Sequence, residues 1–140
     1  MNFKKITKLI QKDWSHLDLK YETLDDRLKM SGSIVGEGIK DDIFLESNVY
    51  KDGRFTIEVV FDSIIPTYKT YELINDFNQC VGYLKAYIDE RNNTKYLTIE
   101  YFVLNTITEA NASESFGFAL YKIISDETMK YLKPILEFTE

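Results

Sequence analysis

Phe3, Ile6, Leu9, Ile10 and Trp14 recur at the helical period, with Lys4, Lys5, Lys8 and Lys12 on the opposite side. An amphipathic helix is expected over residues 3 to 14, its lysines forming a solvated face. From Leu17 the period drops to two. Leu17, Leu19 and Tyr21 alternate with Asp18, Lys20 and Glu22, and after Asp25-Asp26 the alternation resumes as Leu28, Met30 and Ile34. Two strands around a tight turn follow from this. A clearer pair spans residues 42 to 50 and 54 to 61, where Lys51-Asp52-Gly53 supplies the positive φ of a hairpin turn.

Pro66 ends the sheet pattern. Tyr71, Ile74, Phe77 and Val81 return to helical spacing, predicting a middle helix over 67 to 81 that stops at Gly82. Tyr83 to Asp89 and Lys95 to Leu104 read as two more strands around a polar turn at Glu90 to Thr94. A terminal helix opens near Ser113 and runs through Phe116, Leu120, Ile123, Met129 and Leu132, with Pro134 expected to end or kink it. The order is helix, three or four strands, helix, two strands, helix. It predicts an α+β fold on an antiparallel sheet of five or six strands, as one domain over residues 1–140.

Composition narrows the function classes. Net charge is −6, which opposes direct binding to a phosphate backbone. Cys80 is the single cysteine, so a disulfide within the chain and a CxxC metal site are both excluded. The residues after Met1 fit neither a signal peptide nor a membrane span, so the expected location is the cytoplasm. Asn92-Asn93-Thr94 and Asn111-Ala112-Ser113 then read as turn and helix-cap residues rather than glycosylation acceptors.

Candidate chemistry is sparse. His16, the only histidine, falls at the join of helix and sheet and reads as a structural or surface residue. Cys80, near Phe77 and Val81, reads as a buried, inert thiol. Asp25-Asp26 and Asp41-Asp42 fall at turns; Gly32, Gly36 and Gly38 match no phosphate-binding loop and read as sheet bends. Glu46 and Glu58 could face one another across neighbouring strands, raising one pKa or holding a cation. Tyr83, Tyr87, Tyr96 and Tyr101 are the candidate partner-binding residues. The acidic neighbours Asp89, Glu90 and Glu100 argue against base stacking and for core or dimer packing. No catalytic, cofactor-binding or metal-binding set emerges.

Three segments carry a family resemblance: Leu73-Ile74-Asn75-Asp76-Phe77-Asn78, Leu84-Lys85-Ala86-Tyr87-Ile88-Asp89, and Tyr96-Leu97-Thr98-Ile99-Glu100. With the terminal helix and its Pro134, the region from Tyr68 to Phe138 is similar to the YbjN-type domains, small bacterial proteins with the fold of type III secretion chaperones. Phe77 stands where that family commonly has Trp. The resemblance implies a binding fold without catalytic residues and a tendency to form homodimers. The expected function is a non-enzymatic protein-binding or regulatory module, chaperone-like, acting through an apolar sheet or helix surface. The alternative is an acidic phage-type inhibitor that mimics nucleic acid.

Overall fold

The computed structural model describes residues 1–35, 43–102 and 106–137. Its elements run α1 (Phe3–Asp13), β1 (Lys20–Thr23), β2 (Arg27–Ile34), β3 (Ile43–Tyr50), β4 (Phe55–Ser63), α2 (Tyr68–Cys80), β5 (Leu84–Arg91), β6 (Thr94–Tyr101), α3 (Ala112–Ile124) and α4 (Asp126–Glu137). The strands make one antiparallel sheet in the order β1-β2-β3-β4-β6-β5. The fold is α+β with six strands, at the upper end of the expected number.

Register decides which residues share a face. Leu45 stands opposite Val59, Val59 opposite Ile99 and Ile99 opposite Ala86, so one apolar row crosses β3, β4, β6 and β5. All four are almost completely buried, together with Ile6 and Ile10 of α1, Phe77 of α2, Phe116 of α3 and Leu132 of α4. Each such side chain contributes roughly 1.5–3 kcal/mol. Across this face α1 packs on α3, α3 on α4, α4 on α2 and α2 on β5. The alternate residues, such as Lys29, Glu46, Glu58 and Glu100, lie on the other face, which no described helix covers.

Local signals explain the boundaries. Asn2 caps α1 by accepting from the Lys5 N–H, and Thr67 with Thr70 forms a reciprocal capping box on α2. Gly53 takes φ +91° in the β3–β4 turn, where the Asp52 carboxylate accepts from the Arg54 N–H. The β5–β6 turn puts Asn92 and Asn93 both at positive φ, the geometry of a two-residue hairpin. Asn78 ties a helix to the sheet. Its side-chain amide donates to the Ala86 carbonyl at 2.9 Å and accepts from the Ala86 N–H at 2.7 Å, clipping α2 to the edge strand β5.

Several expectations need correction. The terminal helix is two helices broken at extended Ser125, whose hydroxyl accepts from the Thr128 N–H and donates to the Lys122 carbonyl. Asp126 and Glu127 occupy the first turn of α4, as the helix dipole favours. Pro134 lies inside α4 and does not end it. Cys80 is exposed: the inward stripe of α2 is Thr70, Ile74, Phe77, then Val81, which leaves position 80 on its flank. After α2, which ends at Cys80 with Val81 as its cap, Tyr83 takes a left-handed φ of 68°. Leu17 and Leu19 precede β1 rather than lying in it. Gly32 pairs with Leu45 within β2 instead of marking a bend. Gly36, Gly38, Asp41 and Asp42 lie outside the described residues.

Candidate functional site

A cleft of about 350 Å³ opens where the start of β4, the lip before β5, the end of β6 and the first turns of α3 meet. Phe55, Tyr83, Tyr101 and Phe118 supply its aromatic walls, Ile107 an aliphatic one, and Asn111, Glu114 and Ser115 its polar side. The rings follow one another edge to face: Phe55 to Tyr101 at 6.3 Å, Tyr101 to Phe118 at 6.4 Å, and Phe118 to Tyr83 at 6.2 Å. Burial, and then Tyr83, raise the Tyr101 phenol above its ordinary pKa. Tyr101 therefore stays neutral at physiological pH.

Tyr83 is held in a left-handed conformation that costs a non-glycine residue about 1–2 kcal/mol. Its carbonyl accepts from the Phe102 N–H at 3.0 Å, which fixes the lip. From this lip an apolar strip continues along α3. Tyr83, Phe102, Phe118, Tyr121 and Ile124 are each between 44% and 69% exposed. Helical spacing of three places Phe118, Tyr121 and Ile124 side by side, away from the buried stripe of Phe116, Leu120 and Ile123.

Of the four tyrosines expected to bind a partner, the structure brings two together and separates the other two. Tyr83 and Tyr101 line the cleft; Tyr87 and Tyr96 stand on the uncovered face of the sheet, where Tyr87 faces Thr98 and Tyr96 faces Asp89. Phe55, Phe118, Tyr121 and Glu114 were missed. Phe118 and Tyr121 carried a signal, since two aromatics stand off the core stripe of one helix. Phe55 carried none, because its alternation marked it as core.

The facing of Glu46 and Glu58 is present, and it extends further. Glu46, Glu58 and Glu100 are register partners on β3, β4 and β6, so three carboxylates lie in one row. Lys29 pairs with Glu46 at 3.3 Å, Arg91 pairs with Glu58 at 3.6 Å, and Lys85 stands opposite Glu100. Burial first and Glu46 second raise the Glu58 carboxyl above its ordinary pKa, while Arg91 opposes them. Among the described residues no group of three or more His, Cys, Asp or Glu is arranged to hold a metal ion. His16 is exposed and packs its ring 5.8 Å from that of Trp14. No described helix is long and apolar enough to cross a membrane.

Four helices on one face of a six-stranded antiparallel sheet, with an aromatic cleft at one end, define the architecture. The crystal structure of YbjN from E. coli, a proposed transcription regulator, matches it over 95% of this chain and 91% of its own, with TM-score 0.56 and 13% identity. At that identity the match shows a shared fold. No protein-family profile and no curated protein matches the chain. The resemblance read from Tyr68 to Phe138 therefore holds as a likeness of fold, and it extends into the first half of the chain.

Proposed function

We propose that this protein is a non-enzymatic binding module that holds a protein partner along the strip formed by Tyr83, Phe102, Phe118, Tyr121 and Ile124. The observation that carries this reading is the strip itself. Five large apolar side chains, four of them aromatic, are exposed around the cleft mouth and along α3, whereas apolar residues scattered singly would need no explanation. The backbone strain at Tyr83 supports it, since such strain concentrates where a surface is shaped for a ligand. The action is chaperone-like or regulatory: the partner's apolar residues are covered while bound. The role named for YbjN agrees with this, because a net charge of −6 favours regulation through another protein over direct contact with DNA.

The charge pattern weighs against a nucleic-acid mimic. The carboxylate row is three residues long and bracketed by Lys29, Lys85 and Arg91, so it offers no continuous stripe in place of a phosphate backbone.

Photo-crosslinking in cells tests the reading. A p-benzoylphenylalanine at position 118 or 121 is expected to give one defined protein adduct, and the same group at Lys8 on the far side of α1 is expected to give none. An adduct with a second copy of the chain identifies the partner as self. Failure at both strip positions, or identical adducts from position 8, would overturn the proposal.

A further inference from the structure

Among the described residues the cleft is lined by one charged group, with no counter-charge in its lining. Glu114, in the first turn of α3, has neither an ion pair nor a hydrogen bond among the described residues. Around it the four aromatic planes turn by 68° to 77° from one ring to the next, so ring faces and edges border the same space. Aromatic faces are negative and attract cations, and a carboxylate beside them adds to that attraction. An apolar side chain entering here would satisfy the rings and leave the exposed Glu114 carboxylate paired only with water. A carboxylate or phosphate would be repelled by it. A guanidinium satisfies both, because it is planar, weakly hydrated, stacks on rings and forks onto a carboxylate. At about 350 Å³ the cleft is at the lower end of the range for ligand pockets, which suits one long side chain better than a cofactor.

We infer that the cleft seats an arginine side chain of the protein partner, its guanidinium against the rings of Tyr83 and Phe118 and paired with Glu114. This rests on the protein-binding reading and deepens it. The strip supplies contact area, and the cleft selects which partner is held. Glu114 also suits the N-terminal end of a helix, a purely structural use. Removing its charge would then alter stability and leave recognition unchanged, so the two roles separate by experiment.

The test is a nitrogen-15 NMR titration of the full chain with N-acetyl-arginine amide, with N-acetyl-leucine amide as the comparison. The arginine compound is expected to shift the amides of Tyr83, Tyr101 and residues 114 to 118, with a dissociation constant on the order of 1 mM. Glu114→Gln should weaken that binding by about 3–10-fold with the remaining spectrum unchanged, as loss of a charge-assisted pair predicts. Phe118→Ala should weaken it comparably through the lost ring. Equal or tighter binding of the leucine compound would overturn the arginine assignment, and so would arginine binding that ignores Glu114→Gln or fails to reach these amides. None of those results touches the crosslinks at positions 118 and 121. Lost crosslinks with intact arginine binding would instead sink the partner surface.

Discussion

Replacing Asn78 by alanine removes both hydrogen bonds that tie α2 to β5, the pair at 2.7 and 2.9 Å to Ala86. A neutral hydrogen bond contributes about 0.5–1.5 kcal/mol net, and here water can reach part of the vacated site. The expected loss is about 1–2 kcal/mol, read in urea denaturation as a midpoint lowered by roughly 0.5–1 M at an ordinary m-value. Hydrogen exchange adds a local reading, since the Ala86 amide should lose protection out of proportion to the fall in global stability. Asn78→Asp sharpens the argument. The carboxylate still accepts from the Ala86 N–H but faces the Ala86 carbonyl without a proton to give. Below about pH 4 the acid form can donate again, so its deficit should shrink there while that of the alanine variant does not. An alanine variant with wild-type stability and a still-protected Ala86 amide would refute the clip.

Two further substitutions probe packing and charge. A methyl at Gly117 would overlap the Trp14 indole, so Gly117→Ala should lose about 1 kcal/mol net, an overlap of about 1–3 kcal/mol outweighing the roughly 1 kcal/mol helix gain. In a Trp14→Leu background the same change should stabilise, and a double-mutant cycle without coupling would count against the contact. Glu58→Gln should stabilise by about 0.5–1 kcal/mol at pH 7, since two like-charged neighbours at roughly 0.2–1 kcal/mol each outweigh one ion pair of similar size. Because the folded state raises the Glu58 pKa, stability falls as pH climbs from the unfolded value through the folded one and stays lowered above it. The gain should therefore vanish below about pH 4; a variant less stable than wild type at pH 7 would contradict the repulsion.

Elements with strong local chemistry were legible in the sequence. The Asp52-Gly53 hairpin, the helix after Pro66 and the amphipathic first helix all stand within a few residues of their expected limits. The break at Ser125 was also written, as a serine cap followed by Asp126 and Glu127, but the apolar period runs through it and hid it. Cys80 shows the limit of reading neighbours, because one step along a helix turns a side chain by about 100°. Tyr83 and Tyr101 were named from the sequence, but the cleft they share was not legible there. Phe55, Tyr101 and Phe118 come from three separate elements and Tyr83 from the turn before β5, and only tertiary packing brings their rings together. The Glu46–Glu58 pairing was visible from strand alternation, whereas Glu100 joins the row only because β6 inserts beside β4.

That insertion shapes how the molecule comes to exist in time. Every strand pairing except β4 with β6 joins sequence neighbours, and Val59 must find Ile99, 40 positions on. Closing such a loop costs about 2 kcal/mol more than closing a three-residue turn, so this pairing is expected to form after the hairpins. Phe55 lies on one side of that join and Tyr101 on the other. The cleft therefore forms only once β4, β6 and α3 have come together. A partner that needs it selects finished molecules and passes over nascent or half-folded ones.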